Sequence, residues 1–137
     1  EKVKFFVNKR RKAALSLINI LKNNEYLIPQ KISNNAYSTY YTLAVKLAKN
    51  NIKKLNWFSF RKKFMEFGGD GIYAASRLIH QEPAVKKYKI GKMSNRTPIA
   101  KKLQKQLLLF TTNQSNQREI NVQTKALKKT INFFKIV

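Results

Sequence analysis

The amino-acid sequence alternates between segments with the apolar spacing of helices and shorter runs with the composition of strands. Residues 1–21 repeat apolar side chains every three or four positions, which predicts an amphipathic first helix. Residues 57–67 show the same spacing with aromatic side chains, and a last helix is predicted after Asn116. The positions predicted to face inward in the first and last helices are Val3, Phe6, Val7, Ala14, Leu17, Ile18 and Leu21, then Ile120, Ala126, Leu127, Ile131 and Phe134.

The strand-like runs lie between these helices. Residues 37–47 are rich in Tyr, Thr, Leu and Val, and residues 72–79 and 107–110 are two further runs of strand length. Residues 26–32 contain Pro29 and are predicted to form an extended connector. The order is helix, strand, helix, strand, short helix, strand, helix. It predicts an α/β fold in which helices cover one face of a small sheet.

Three local signals mark helix ends. The cluster Gly68-Gly69-Asp70-Gly71 is predicted to stop the aromatic helix and turn the chain. Because it follows a helix and precedes a predicted strand, the reverse of a P-loop, a phosphate cradle is the less favoured interpretation. Thr97-Pro98 is typical of a helix start, and Asn116 followed by Glu119 resembles a capping box.

The chain of 137 residues is predicted to be one domain, with 43% hydrophobic and 12% aromatic residues. Residue Glu1 already stands in the predicted first helix, with no capping residue before it. We therefore expect residues 1–137 to be one domain of a longer polypeptide. No apolar run approaches the roughly 18 residues that a membrane span needs, so we expect no membrane insertion, and a cytoplasmic location.

The charge is strongly positive, with 29 Lys and Arg against 6 Asp and Glu, a formal net charge of +23. Such an excess favours a polyanionic partner, because clustered cations release counterions on contact. An A+T-rich coding sequence, or an acidic second half of a larger molecule, would account for the same charge without such a partner. The basic stretches that would form a nucleic-acid footprint are Lys9 to Lys12, Arg61 to Lys63, Lys86-Lys87 and Lys101-Lys102.

The sequence lacks a complete set of catalytic residues. It has no cysteine, which excludes disulfides, thiolate metal sites and cysteine nucleophiles. His80 is the only histidine, and the six acids are too dispersed to mark a carboxylate pair. No residue is therefore proposed as catalytic, and no metal site is predicted.

Several segments resemble the C-terminal small domain of the DegT/DnrJ/StrS family of pyridoxal-phosphate-dependent sugar aminotransferases. The strongest is Gly69-Asp70-Gly71-Ile72-Tyr73-Ala74-Ala75 with His80-Gln81-Glu82-Pro83, similar to a "GDGIYAAW…EP" segment, although Ser76 replaces the Trp. The other similar segments, in the family's order, are residues 7–14, 27–30, 36–41, 98–104 and 107–113, followed by Ile120 and Ala126-Leu127.

The resemblance implies a type I aminotransferase fold, whose small domain has a mostly antiparallel sheet. The whole enzyme would be a homodimer that transfers an amino group from an amino-acid donor to a nucleotide-linked keto-sugar, for cell-surface polysaccharide or lipopolysaccharide biosynthesis. A large domain, absent from this chain, would bind pyridoxal phosphate and supply the catalytic lysine. The alternatives are a stand-alone basic nucleic-acid-binding module and a degenerate remnant kept as an interaction partner.

The same resemblance implies three substrate-binding residues in this chain. The family's segment aligned with residues 73–80 approaches the substrate side of the pocket. Tyr73, Arg77 and His80 are the expected pocket-rim residues, and Arg77 is suited to a nucleotide-sugar phosphate.

Overall fold

Helices cover one face of a small sheet in the computed structural model, which describes residues 1–48, 55–73, 77–87 and 97–136. The elements in chain order are α1 (Lys2–Leu21), β1 (Leu27–Pro29), β2 (Thr42–Leu47), α2 (Trp57–Glu66), α3 (Pro83–Lys86), α4 (Pro98–Gln104), β3 (Leu107–Thr111) and α5 (Gln117–Phe134). A single turn of 3₁₀ helix, Ile79–Gln81, lies between α2 and α3.

The sheet has the strand order β1-β2-β3, and both pairings are antiparallel. Leu27 pairs with Leu47, and Thr42 pairs with Thr111. Alternate residues of β2 and β3 are buried, as expected for a sheet with one covered face. This architecture confirms the predicted fold class. The buried strand residues are Leu43, Val45, Leu47, Leu108 and Phe110.

Aromatic side chains connect the helices to the buried face of the sheet. Phe60 and Phe64 of α2 are fully buried, and both meet the Phe110 ring edge-on, at centroid distances of 6.3 and 5.4 Å. Phe134 of α5 stacks on Phe60 at 6.2 Å. Such pairs add about 0.5–1.5 kcal/mol each beyond their buried area. The predicted helical spacing of the aromatic segment is thus confirmed as core packing.

The predicted turn at Gly68 and the helix starts are also confirmed, with differences in detail. Gly68 adopts φ +88°, and its N–H donates to the Met65 carbonyl, which ends α2. Asn116 accepts from the Glu119 N–H at 3.0 Å, but the Glu119 carboxylate accepts from the Ser115 N–H instead of closing a standard capping box. Thr97 precedes α4 without a side-chain capping bond.

Two of the predicted strands are partly wrong. Among the described residues of the predicted strand 72–79, only Tyr73 pairs with the sheet, through one bridge to Leu109, and Ile79 begins the 3₁₀ turn. This turn is closed by a 2.7 Å bond from the Gln81 N–H to the Leu78 carbonyl. The segments 74–76, which includes Ser76, and 88–96 lie outside the described residues.

The strand predicted over residues 37–47 begins only at Thr42. Tyr40 has φ +48°, a left-handed conformation that interrupts an extended chain. The segment predicted as an extended connector instead contains the edge strand β1, which brings the sheet to three strands.

The predicted core face of the first helix is wrong near its start. Val3 and Phe6 are 76% and 57% exposed. The buried residues of α1 lie in its second half, and α1 packs against α5 and β1. The first turns of α1 therefore have the apolar spacing of a core helix, but their apolar side chains are not buried. The inward residues predicted for α5 are confirmed as buried or partly buried.

Candidate functional site

A groove lies beside the sheet, and its walls come from residues in or next to α1, β2 and β3 and from Tyr73. Its volume is about 380 Å³, which is within the usual range for small-molecule sites. Polar side chains, two tyrosines and one leucine line it. The lining residues of this Arg10 groove are Arg10, Tyr41, Thr42, Tyr73, Leu109, Thr111, Thr112 and Asn113.

Arg10 is fixed at the groove by two contacts to one residue. Its Nη1 donates to the Tyr41 carbonyl at 2.8 Å, and its guanidinium carbon lies 5.0 Å from the centroid of the Tyr41 ring. A cation over an aromatic ring at an exposed site contributes about 0.5–1 kcal/mol. A guanidinium carries five N–H donors, and this backbone bond uses one of them. Arg10 is therefore both held in place and able to bind an anion.

The neighbouring arginine holds the chain before β2 in the same way. Arg11 Nη1 donates to the Ser38 carbonyl, and its guanidinium carbon lies 4.1 Å from the centroid of the Tyr37 ring. The backbone that leads into Tyr41 is thus tied to α1 by two consecutive arginines.

Thr112 anchors the same backbone from the side of β3. This residue is 1% exposed, and its Oγ1 lies 2.6 Å from the Tyr40 carbonyl and 3.0 Å from the Tyr41 carbonyl. The single hydroxyl proton is shared between these two carbonyls, which satisfies a donor that would be costly to bury alone. This shared hydrogen bond also fixes Tyr41, whose side chain remains 76% exposed over the groove.

Tyr73 forms the opposite wall and is held by its backbone. Its N–H donates to the Leu109 carbonyl at 2.9 Å, and its carbonyl accepts from the Leu109 N–H at 2.8 Å. The Tyr73 side chain is 64% exposed. The structure thus places this sequence-predicted residue on the wall of an open groove.

Asp70 links this wall to the helices. One of its carboxylate oxygens accepts from Thr111 Oγ1 at 3.1 Å and from Gln114 Nε2 at 2.8 Å. Its backbone N–H donates to Gln123 Oε1 of α5 at 2.8 Å. The acid of the glycine-rich turn therefore organises polar side chains beside the groove.

The other two predicted site residues, Arg77 and His80, are not among the described residues that line this groove. Arg77 is exposed and lies 4.0 Å from the Glu82 carboxylate. His80 lies in the 3₁₀ turn and is 8% exposed, and its Nε2 has no hydrogen-bond partner within the described ranges. Tyr73 and these two residues are therefore on one segment but not in one described cavity.

Basic residues outside the groove are distributed among different surroundings. Lys63 forms an ion pair with Glu66 and lies 4.3 Å from the centroid of the Phe133 ring. Its hydrogen bond, with the charges of Lys63 and Lys62, lowers the pKa of Glu66 below its usual value. Lys101 and Lys102 lie at a separate shallow cavity near α4. These stretches do not share one described cavity.

The chemistry of the groove does not fit pyridoxal phosphate. Attachment of this cofactor needs a lysine, and its pyridine nitrogen commonly needs an acidic partner. The residues that line the groove include neither. In the described part of the chain, no group of three His, Cys, Asp or Glu side chains is placed to hold a metal ion.

Two solved aminotransferases share this fold. One is Helicobacter pylori PseC, an aminotransferase involved in the biosynthesis of pseudoaminic acid, with a TM-score of 0.71 and 17% identity over 96% of this chain. The other is the aminotransferase from Psychrobacter cryohalolentis, with a TM-score of 0.78 and 17% identity over 96% of this chain. The resemblance to an aminotransferase C-terminal domain is therefore confirmed as a likeness of fold.

The chain spans only about a third of these aminotransferases, 34% and 36% of their lengths. No family model matches the sequence, and no curated protein matches it. Among the helices of the described ranges, none has the length and apolarity to cross a membrane.

The sequence did not indicate that Arg10 and Tyr41 form a site. Arg10 belongs to a basic stretch, Tyr41 was placed inside a predicted strand, and 31 positions separate them. The available signal was a group of tyrosines, residues 37, 40 and 41, before a strand that follows a basic helix. Only the tertiary fold, in which the Arg10 side chain of α1 reaches the backbone just before β2, brings the two residues together.

Proposed function

We propose that this chain is the small domain of a pyridoxal-phosphate-dependent aminotransferase that acts on a nucleotide-linked keto-sugar, in the cytoplasm, for cell-surface polysaccharide or lipopolysaccharide biosynthesis. The observation that carries the proposal is the fold likeness to two aminotransferases over 96% of the chain. The sequence segments that resemble the family's small domain support it independently. The enzyme is expected to be a homodimer.

The side chains that line the Arg10 groove support a division of roles between this domain and the rest of the enzyme. The cofactor provides an electron sink for amino transfer when it is bound. The Arg10 groove has no lysine or acid to hold it, so we assign cofactor binding to the rest of the enzyme. This domain then contributes side chains that bind and orient the substrate.

The uncovered face of the sheet suits contact with a second domain. Leu107 and Leu109 of β3 point away from the buried face and are partly exposed, and Ile28 at the edge is 46% exposed. Apolar residues on an open face gain free energy when another surface covers them. In this arrangement Tyr73, Arg77 and His80 remain proposed substrate-side residues.

The complete reading frame that contains this chain tests the assignment. We expect it to encode a large α/β domain before residue 1, with a lysine near a Ser-His or Phe-His pair. We also expect that domain to carry less positive charge per residue, because two strongly cationic halves would oppose docking. A reading frame that starts at α1 and lacks such a domain would contradict the proposal.

A further inference from the structure

We propose that the outer surface of α2 and α5 binds the surface of an anionic phospholipid bilayer. Exposed apolar side chains would enter the headgroup region, and lysines would contact the lipid phosphates. The inference does not rest on the proposed function, because no substrate or cofactor takes part in it. This lipid face consists of Phe58, Lys62 and Met65 of α2 with Lys125, Lys129 and Phe133 of α5.

The first part of the lipid face is a stripe along α2. Phe58, Lys62 and Met65 follow one another at intervals of four and three residues, so they share one side of the helix. Phe58 is 72% exposed and Met65 is 42% exposed. The core residues Phe60 and Phe64 lie on the other side of the same helix. The helix therefore presents apolar side chains to solvent as well as to the core.

The second part is a similar stripe along α5. Lys125, Lys129 and Phe133 follow one another at intervals of four residues, and all three are exposed. Contacts with α2 join the two stripes. The Phe133 ring lies 6.3 Å from the ring of Phe67, which directly follows α2, and the Lys63 ammonium lies 4.3 Å from the Phe133 centroid. The exposed surfaces of the two helices are therefore continuous.

The charge of the two helices favours an anionic partner. Together α2 and α5 contain seven Lys and Arg residues and two Glu residues. Glu66 is paired with Lys63, and Glu119 accepts from the backbone at the start of α5. Lys125 and Lys129 form no ion pair within the described ranges. Both lysines therefore remain available to the phosphates of an anionic leaflet, which attracts basic side chains that come close to it.

The apolar residues favour a lipid surface over a nucleic acid. Met65 has no ring on which a base could stack, and one face of the Phe133 ring is already covered by the Lys63 ammonium. At a bilayer surface, apolar side chains gain free energy by leaving water, while lysines extend to the phosphates around them. A surface that mixes exposed apolar and basic side chains therefore matches both layers of a lipid headgroup region.

Two other partners fit the lipid face less well. A second copy of the chain would place one cationic surface against another, and their like charges would oppose the contact. The large domain of the proposed enzyme is expected on the other side of the sheet. Phe60 and Phe64 place α2 over the buried face of the sheet, whereas Leu107 and Leu109 lie on the uncovered face.

Co-sedimentation with vesicles tests the proposal. We expect the 137-residue chain to bind vesicles of phosphatidylcholine that contain about 30% phosphatidylglycerol. Vesicles of phosphatidylcholine alone should bind it about tenfold more weakly, because they offer no net negative charge. Between about 0.1 and 0.5 M salt the binding should weaken without being lost, because salt screens the charges but does not weaken the apolar contacts.

A pair of lysine substitutions tests the contribution of local charge. Lys125→Gln with Lys129→Gln should weaken binding to the anionic vesicles about tenfold. The matched control is Lys102→Gln with Lys105→Gln, which removes the same charge from exposed residues in or next to α4. This control should weaken binding by no more than about twofold, because charges away from the contact are screened.

A pair of apolar substitutions tests the contact with the lipid interior. Phe58→Ser with Met65→Ser should weaken binding about tenfold, because both side chains would otherwise leave water in the headgroup region. The matched control is Ile79→Ser with Ile99→Ser, two apolar residues outside the lipid face that are 81% and 74% exposed. The control should leave binding unchanged.

The fluorescence of Trp57 reports which surface meets the lipid. Trp57 is the single tryptophan of the sequence, and its ring lies 4.7 Å from the Phe58 ring. Brominated acyl chains in the anionic vesicles should therefore quench its emission when the chain is bound. Bound chain without this quenching would show that another surface meets the lipid, which would overturn the proposal.

The proposal is wrong if neutral and anionic vesicles bind alike, or if the control pairs weaken binding as much as their matched pairs. It is also wrong if higher salt abolishes binding and the Phe58 pair has no effect, which is the behaviour of a purely electrostatic surface for nucleic acid. Self-association in analytical ultracentrifugation that the Phe58 pair abolishes would assign the face to a second copy. Circular dichroism checks folding, and if the apolar pair does not fold, the lysine pair still gives the test.

Discussion

The Thr112 hydroxyl lies 2.6 Å from the carbonyl oxygen of Tyr40, a residue 72 positions earlier in the chain. Tyr40 has a left-handed backbone, so its carbonyl is outside the regular pairing of β2. The bond from Thr112, which directly follows β3, therefore stabilises the irregular segment that positions Tyr41 in the Arg10 groove.

Thr112→Val should destabilise the fold by about 1–3 kcal/mol, because the Tyr40 carbonyl loses its buried donor while side-chain volume is nearly unchanged. The free energy of unfolding in urea measures the change. Thr124→Val, on the partly exposed surface of α5, is the control and should cost less. An equal loss of unfolding free energy at both positions would show that the Thr112 hydrogen bond contributes no more to stability than the hydroxyl of Thr124.

Gly69→Ala should destabilise the domain by about 1–3 kcal/mol through overpacking. A Cβ at Gly69 would clash with the Phe64 ring, which is buried in the core and has little room to move. At Gly71 the nearest contact of a Cβ is the Arg61 side chain at 3.8 Å, an ordinary separation. Thermal unfolding should therefore show a clear loss for Gly69→Ala and a smaller one for Gly71→Ala; the reverse order would contradict the packing described.

The spacing of apolar residues predicted the helices better than the strands. Phe60 and Phe64 are core residues because a helix with this spacing has one face to bury, and α5 follows the same rule. The first turns of α1 have the same apolar spacing, but their apolar side chains are exposed, so the prediction that Val3 and Phe6 belong to the core is wrong. Periodicity indicates which face is apolar but not what covers it.

The strands depended on contacts that the sequence does not contain. Tyr73 joins the sheet through a bridge to Leu109, the one pairing of this residue in the described ranges, and the short β1 around Pro29 is a strand because β2 lies beside it. The site depended on tertiary packing in the same way, since Arg10 of α1 and Tyr41, which directly precedes β2, meet only in the folded chain. Tyr73 was predicted because its sequence segment resembles a known family, not because of any periodicity.

Random duplex DNA should bind this chain only through net charge. At about 20 mM salt the +23 charge is expected to give weak, non-specific binding that is largely lost by about 200 mM. Gel-shift titrations across this range with two unrelated sequences measure the salt dependence and any preference. Tight binding that persists at the higher salt, or a clear sequence preference, would favour the nucleic-acid-binding alternative.

The proposal that this domain belongs to an aminotransferase is tested most directly by the donor reaction of the full-length protein. The product of the full reading frame should bind pyridoxal phosphate and, when mixed with glutamate and no sugar, release about one 2-oxoglutarate per bound cofactor. A full-length protein that binds no pyridoxal phosphate, or that binds it but forms no keto acid from glutamate or another amino acid, would contradict the account.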